Sequence, residues 1–250
     1  GRITVDAKSG DISLLKTAGL TNEQKATISQ GNINPDFLIP TLDQLHCEQQ
    51  LAMLGDYSKL RFRIDLDEFN SQISAYKDSW VPYLPREGEH PNRQGLMLWG
   101  LEGDSPSDSL SLPEARQRAG RKVMETDFSH PTQLYKDLNS IHDLCDYFAP
   151  LGRTFLIKAD AGSYFPPHRD HPYLTRDCFR ICAFLENTSP DEFEWIHNHK
   201  QLPINSGDVI YVDTAKEHRT HSWRNGSIHL IMNIPKTWEN VMKLMSVLAS

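Results

Sequence analysis

The stretch Ser227-Ile228-His229-Leu230-Ile231-Met232-Asn233-Ile234 alternates between two kinds of side chain. One face is apolar and consists of Ile228, Leu230, Met232 and Ile234. The other face is half-polar and carries His229. Alternation with a period of two is the pattern of a β-strand. Residues 179–186 repeat it, with Arg180 on the half-polar side. Such strands predict a roll with a ligand cavity inside, and Arg180 and His229 are candidates to line that cavity.

Strand patterns of this kind dominate the chain after residue 150. They fall at residues 153–159, 179–186, 193–198, 204–213, 221–223 and 227–234. Many short strands separated by turns are typical of a sandwich or barrel, and a double-sheet jelly roll is the simplest arrangement that fits. Flanking elements are also predicted: helices from residue 41 to 54 and at 67–76, 132–148 and 237–248, and strands at 59–66 and 94–101. The fold class is therefore mainly β with flanking helices.

The domain organisation is predicted to be simple. Residues 1–40 are polar, contain glycine and proline, and are expected to form a loosely structured N-terminal arm. Residues 41–250 are expected to form one domain, with the catalytic core at about 150–235. Residues 102–113 form a polar loop of the kind that carries function. The basic run at 116–122 is interpreted as a solvated face in which Gly120 weakens a helix.

Composition excludes several classes of protein. Hydrophobic residues make up 38% of the chain and charged residues 24%, as in ordinary soluble proteins. A net charge of -7 argues against a nucleic-acid binder. No apolar run reaches the roughly 18 residues of a membrane span, and the N-terminus has no signal-peptide pattern, so a cytoplasmic protein without a membrane partner is expected. The four cysteines lack Cys-x-x-Cys spacing and are interpreted as buried thiols.

A candidate metal site lies in the stretch Tyr164-Phe165-Pro166-Pro167-His168-Arg169-Asp170-His171-Pro172. In an extended chain the side chains of His168 and Asp170 point to the same side and can converge. A histidine from a neighbouring strand, His218 or His221, would complete a set of two imidazoles and one carboxylate. That set is the facial triad of non-haem Fe(II) oxygenases. The alternative is that these histidines are structural, with Asp170 holding a tautomer.

The order of these motifs resembles the aspartyl/asparaginyl β-hydroxylase family. The resemblance covers roughly residues 150–235, with a weaker echo at 92–99. The motifs that carry it are His168-Arg169-Asp170, the strand at 179–187, Gly207-Asp208-Val209-Ile210-Tyr211-Val212-Asp213, His221-Ser222-Trp223-Arg224-Asn225 and Ile228-His229-Leu230-Ile231. The family, which is similar to bacterial free-proline hydroxylases, belongs to the Fe(II)/2-oxoglutarate dioxygenases. The resemblance therefore implies a double-stranded β-helix (cupin-like jelly roll) and the cofactors Fe(II), 2-oxoglutarate and O2.

Carried onto this sequence, the family pattern implies metal ligation by His168, Asp170 and His221. His221 is preferred over His218 because Ser222 and Asn225 follow it as in the family. Residues three apart on a strand point to opposite faces, so only one of the two histidines is expected to bind the metal.

The sequence departs from the family at the cosubstrate site. The family places an arginine on the last core strand, where it grips the remote carboxylate of 2-oxoglutarate. This chain has Ser227 there, and Arg224, Arg180 or a protonated His229 are candidates to replace the charge.

Three function classes follow from these motifs. The first is an Fe(II)/2-oxoglutarate dioxygenase that hydroxylates an unactivated C–H bond of an amino acid, a peptide side chain or a small metabolite. The second is a cupin-type metalloenzyme that does not use 2-oxoglutarate. The third is a non-catalytic binding module.

Overall fold

The computed structural model describes residues 42–83, 92–170 and 172–249, and the side chains of residues 172–174 are left out. Cys47–Ser250 forms one compact unit. The predicted arm at residues 1–40 lies outside the described residues, as does Thr41, where the first helix was predicted to begin. Within the described ranges, no helix is both long enough and apolar enough to span a membrane.

Seven α-helices flank the strands of the described chain. They are α1 (Leu42–Ala52), α2 (Leu66–Ile73), α3 (Leu112–Ala119), α4 (Gln133–Asp137), α5 (His142–Phe148), α6 (Pro172–Asp177) and α7 (Trp238–Ser246). Short 3-10 turns at Ser74–Tyr76, Glu125–Asp127 and Asn139–Ile141 join some of them. The predicted helices near residues 41, 67 and 237 therefore exist, with ends shifted by a few residues.

The strands form two antiparallel sheets. The larger sheet contains β1 (Tyr57–Arg63), β2 (Val81–Pro82), β3 (Arg93–Gly100), β4 (His130–Pro131), β5 (Thr154–Ala159), β7 (Cys178–Phe184), β10 (Asp208–Val212) and β12 (Ser227–Pro235). The smaller sheet contains β6 (Tyr164–His168), β8 (Phe193–His197), β9 (Lys200–Gln201) and β11 (His218–Ser222). The order is β1-β10-β7-β12-β5-β3-β2 in the larger sheet, with β4 on β3, and β6-β11-β8-β9 in the smaller one.

The connection between the sheets defines the fold. From β5 to β12 the chain crosses repeatedly between them, so that β10-β7-β12-β5 lies in one sheet and β6-β11-β8-β9 in the other. All pairings along this path are antiparallel. This interleaving of two four-stranded sheets is the double-stranded β-helix, a jelly roll. The predicted fold class is confirmed.

Alternating side chains divide the interior into two layers. The apolar faces of β7 and β12 pack with helical residues in the largest hydrophobic cluster, which includes Ile181, Leu230, Leu134, Leu144 and Val241. On the other face, Cys182 and Phe184 pack with Phe193 and Trp195 of the smaller sheet. The predicted alternation of both strands is therefore confirmed, and their half-polar faces line the space between the sheets.

Two helix predictions were wrong. The helix predicted at 132–148 is broken at Leu138, where φ and ψ of -97° and 67° leave the helical region. Helix α3 was missed because Gly120 was expected to weaken it. Gly120 instead ends the helix in a left-handed conformation with φ of 60°, a position that favours glycine. At the other end, the Ser111 N–H donates to Glu114 Oε2 over 2.8 Å.

Candidate metal centre and cavity

Three of the predicted metal ligands lie together at the edge of the smaller sheet. His168 is the last residue of β6, and His218 is the first residue of β11. The two residues are paired in the sheet, and their rings lie 4.2 Å apart. Asp170 follows β6, and its N–H donates to Thr214 O over 2.9 Å. One ligand atom from each of the three residues lies within 4.8 Å of the other two.

Backbone hydrogen bonds fix the tautomers of both histidines. His168 Nδ1 lies 2.9 Å from Pro166 O, and His218 Nδ1 lies 3.0 Å from Lys216 O. A carbonyl oxygen only accepts hydrogen bonds, so Nδ1 carries the proton in each neutral ring and Nε2 carries the lone pair. His168 Nε2 lies 3.8 Å from Asp170 Oδ1. Such backbone contacts are how metal-binding histidines are usually oriented, so the residues present fit a divalent metal.

His221, the preferred third ligand, is not part of this cluster. It pairs with Tyr164 in the sheet, and its ring contacts Trp223 at 4.0 Å. From β11, His218 and Thr220 line the cavity described below, and His221 does not. The preference for His221 is therefore corrected in favour of His218, because the two histidines occupy opposite faces of one strand.

The electrostatics of the cluster favour the protonation states that bind metal. Burial alone would raise the pKa of Asp170, but the Arg180 guanidinium and then His218 hold that pKa below its usual range. Burial lowers the pKa of His218, against the opposing effect of Asp170. Asp170 is thus ionised and His218 neutral at neutral pH, and these are the forms that a metal requires.

Arg180, a candidate cosubstrate residue, is engaged by its neighbours. Its Nη1 donates to Asp170 Oδ2 over 2.5 Å, and its Nη2 and Nε donate to Asn233 Oδ1 over 3.1 and 3.3 Å. Asn233 Nδ2 donates in turn to Glu125 Oε2 over 3.2 Å. Glu125 forms a two-pronged pair with Arg153 at 2.8 and 3.0 Å. A buried polar network thus supports Asp170, and Arg180 belongs to that network.

A cavity of about 280 Å³ opens beside the three ligands. Its wall includes Arg93, Phe155, Phe165, Phe193, Trp195 and His229. Ser111, Pro113 and Glu114 of the α3 region border it as well. The predictions that Arg180 and His229 face the interior of the roll agree with this lining. Aromatic rings form much of the wall, which suits a site that excludes water.

Two other cosubstrate candidates lie outside the cavity lining. The Ser227 side chain is buried, and its Oγ donates to Asn187 O over 2.7 Å. Ser227 thus ties a loop to the start of β12. Arg224 is exposed and lies beside Trp223 and Asn225 at the surface. Neither side chain lines the cavity beside the cluster, so the geometry does not support these two candidates.

Arg93 on β3 lines the cavity and was not predicted as a site residue. Ala159 of β5 pairs with Ser227 on one side and with Arg93 on the other, so Ser227 and Arg93 share one rung of the sheet. The Arg93 guanidinium lies 4.3 Å from the centre of the Phe165 ring. Only the weak echo at residues 92–99 pointed to this part of the chain. Arg93 lies near the site because β3 pairs with β5 in the larger sheet.

A protonated His229 was one of three candidates for the missing positive charge, but burial lowers the pKa of this ring and favours its neutral form. Its ring lies among Phe184, Phe193 and Trp195. Burial and, to a smaller extent, the charge of Arg93 lower its pKa to about 3. An unfolded histidine has a pKa near 6.5, so below that value the unfolded chain binds a proton that the folded chain does not.

The free energy of unfolding is therefore expected to decrease as the pH is lowered, because His229 is protonated more readily in the unfolded chain than in the folded one. The contribution of this group is complete above pH 6.5 and is lost as pH decreases towards 3, by at most about 1.4 kcal/mol per pH unit. Urea unfolding of the native protein and of His229→Phe between pH 4 and 7 tests this. The native protein should lose stability relative to the variant as pH falls below 6.5. Parallel curves would show that His229 does not titrate in this way.

The solved structures compared with this chain are remote likenesses. No protein-family model and no curated protein matches the chain. A prolyl-4-hydroxylase from Pseudomonas putida is 11% identical over 76% of this chain and 97% of its own, with a TM-score of 0.41. A 2OG-Fe(II) oxygenase family oxidoreductase from Burkholderia pseudomallei is 15% identical over 72% and 95%, with a TM-score of 0.38. KdgF from Halomonas sp. is 17% identical over 33% and 68%, with a TM-score of 0.26.

Values this low do not assign a function. The resemblance to the aspartyl/asparaginyl β-hydroxylases stays a prediction. What the fold and the site define together is a double-stranded β-helix protein with a candidate centre for a single metal ion.

Proposed function

We propose that this protein is an Fe(II)- and 2-oxoglutarate-dependent oxygenase that hydroxylates an unactivated C–H bond. The observation that carries the proposal is the cluster of His168, Asp170 and His218, with both imidazoles oriented through Nδ1 and all three residues lining one cavity. Two histidines and one carboxylate with open positions are the ligand set of non-haem Fe(II) oxygenases. Fe(II) at such a site supplies the activation of O2 that C–H hydroxylation needs.

The residues of this chain would hold and shape the site. His168 and His218 would offer their Nε2 lone pairs, and Asp170 an ionised oxygen. Arg180 holds the other oxygen of Asp170 and so fixes the direction of the carboxylate. The aromatic wall, including Phe155, would keep water away from the reacting groups.

The proposed substrate is small. A cavity of about 280 Å³ is slightly below the usual range for sites that enclose a drug-sized ligand. It would hold a 2-oxoacid together with an amino acid, a single peptide side chain or a small metabolite. Ser111 and Pro113 of the predicted loop border the cavity and are the loop residues best placed to contact the substrate.

A second candidate is a jelly-roll metalloenzyme that does not use 2-oxoglutarate. The observation in its favour is that Ser227 and Arg224 lie outside the cavity lining and Arg180 contacts Asp170. In that case the same three ligands would hold a metal for another reaction.

An anaerobic titration separates these functions. Fe(II) is added to the purified protein, followed by 2-oxoglutarate, and the visible charge-transfer band of a chelated 2-oxoacid is recorded. The proposed function predicts the band in the native protein and its loss in Asp170→Ala. Iron binding without the band would favour the second candidate. Absence of iron binding would leave a binding module with structural histidines.

A further inference from the structure

Two buried ring nitrogens in the cavity wall lack a hydrogen-bond partner. They are Trp195 Nε1 and His229 Nδ1, and no partner for either exists among the described residues. Trp195 is 3% exposed and His229 is 5% exposed. A buried polar group without a partner costs about 1–3 kcal/mol, and native proteins contain few of them. Both rings line the cavity, so a ligand in that cavity is the natural source of the missing partner.

The two rings lie close to the candidate metal centre. The centre of the Trp195 ring is 6.3 Å from that of His229 and 6.0 Å from that of His218. The Trp195 indole is therefore in contact range of both a candidate ligand and the unpartnered imidazole. The Trp195 side chain therefore separates His229 from His218 of the cluster.

Arg93 brings a positive charge to the same wall. Its guanidinium lies over Phe165, and the Phe165 ring lies 4.0 Å from that of His168. The positive charge of Arg93 also contributes to the lowered pKa of His229. The Phe165 ring thus lies between Arg93 and His168. In the same way, the Trp195 ring lies between His229 and His218.

The chemistry of these groups selects an anionic partner. The indole N–H and the guanidinium can only donate hydrogen bonds, and a neutral imidazole donates through one nitrogen. Donors together with a positive charge fit a carboxylate, whose two oxygens accept about four hydrogen bonds. The positive charge of Arg93 disfavours a cation in this part of the cavity.

We propose that Trp195, His229 and Arg93 form a carboxylate subsite that holds the end of 2-oxoglutarate remote from the metal centre. This inference rests on the proposed function. In the family pattern a single arginine stands at the position of Ser227. Here three side chains from three different strands, β8, β12 and β3, would take its place. Arg93 occupies the same rung of the sheet as Ser227, so the charge reaches the site from the opposite side of β5.

A matched pair of ligands tests the subsite. 2-Oxopentanoate has the carbon chain of 2-oxoglutarate and its 2-oxoacid end, but it lacks the remote carboxylate. Binding of each ligand to the Fe(II)-loaded protein is measured anaerobically by calorimetry, which does not depend on turnover. The native protein is expected to bind 2-oxoglutarate at least roughly tenfold more tightly than 2-oxopentanoate.

Variants assign the preference to individual side chains. Trp195→Phe removes the N–H and keeps an aromatic ring, and His229→Phe removes the imidazole. Each should weaken 2-oxoglutarate binding by roughly ten- to hundredfold and leave 2-oxopentanoate binding nearly unchanged. Retained 2-oxopentanoate binding also shows that the variant is folded. Trp223→Phe, at an exposed tryptophan outside the cavity lining, is the control and should change neither affinity.

The outcomes distinguish the subsite from the function on which it rests. If the native protein binds both ligands equally, or if both variants keep the preference, the subsite is wrong while the 2-oxoacid function stands. If neither ligand binds to the iron-loaded protein, the proposed function fails and the subsite fails with it.

Discussion

Replacement of His218 by alanine is expected to lower the Fe(II) affinity of the protein by at least about 100-fold. Structural metal sites with four ligands gain about 10–16 kcal/mol on binding, or roughly 3 kcal/mol per ligand, which corresponds to more than about 100-fold in affinity. His218 lies with His168 and Asp170, and its Nδ1–H is held by Lys216 O. Loss of its imidazole would leave two of the three protein ligands.

The matched control for this prediction is His221→Ala. His221 lies on the same strand three residues further on, but its ring packs against Trp223 outside the cluster. Its removal should change Fe(II) affinity by less than about threefold, a free energy below 1 kcal/mol. Both variants are compared by anaerobic Fe(II) titration. A larger loss for His221→Ala than for His218→Ala would restore the preference drawn from the sequence.

The second large effect is expected on stability. Arg153→Met should lower the free energy of unfolding by about 3–5 kcal/mol, because it leaves the buried Glu125 carboxylate without its charged partner. Both side chains are almost fully buried, and two hydrogen bonds join them. Arg153 also donates to Leu110 O over 3.0 Å, so the substitution would remove a contact near α3 as well.

Two further variants make this measurement specific to the buried pair. Arg121→Met removes the Arg121 side chain, which is 60% exposed and lies 3.2 Å from Asp127, and should change stability by less than about 1 kcal/mol. The double variant Glu125→Gln with Arg153→Met removes both charges and should recover part of the loss. Urea unfolding provides the comparison. Equal stability losses for Arg153→Met and Arg121→Met would contradict the importance of the buried pair.

Local patterns were sufficient to predict the fold class. The alternation in residues 227–234 and 179–186 depends only on the two-residue period of a strand, and both strands lie in the roll with the expected faces. The same local rule predicted that His168 and Asp170 point to one place. Their separation of two residues is a local property of the chain, and the structure brings them together.

The choice between His218 and His221 could not be made locally. Both fit a strand, and the rule that they face opposite sides does not say which side faces the cavity. That depends on how β11 pairs with β6, where the register shifts between His218 and Thr220. The pairing joins parts of the chain about fifty residues apart, and the sequence pattern of either strand alone does not contain it.

Arg93 illustrates a second limit. It precedes β5 by some sixty residues, and it reaches the site only because β3 pairs with β5 at the edge of the core. The family pattern has its arginine on the last core strand, where this chain has Ser227. Arg93 lies on a different strand of the same sheet, so the sequence around Ser227 gives no sign of it.

The most direct test of the central claim is a crystal structure of the protein loaded with Fe(II) under anaerobic conditions, with anomalous diffraction measured at the iron edge. One anomalous peak is expected, in contact with Nε2 of His168, Nε2 of His218 and a carboxylate oxygen of Asp170. A peak beside His221, or a peak away from all three residues, would show that this cluster is not the metal site.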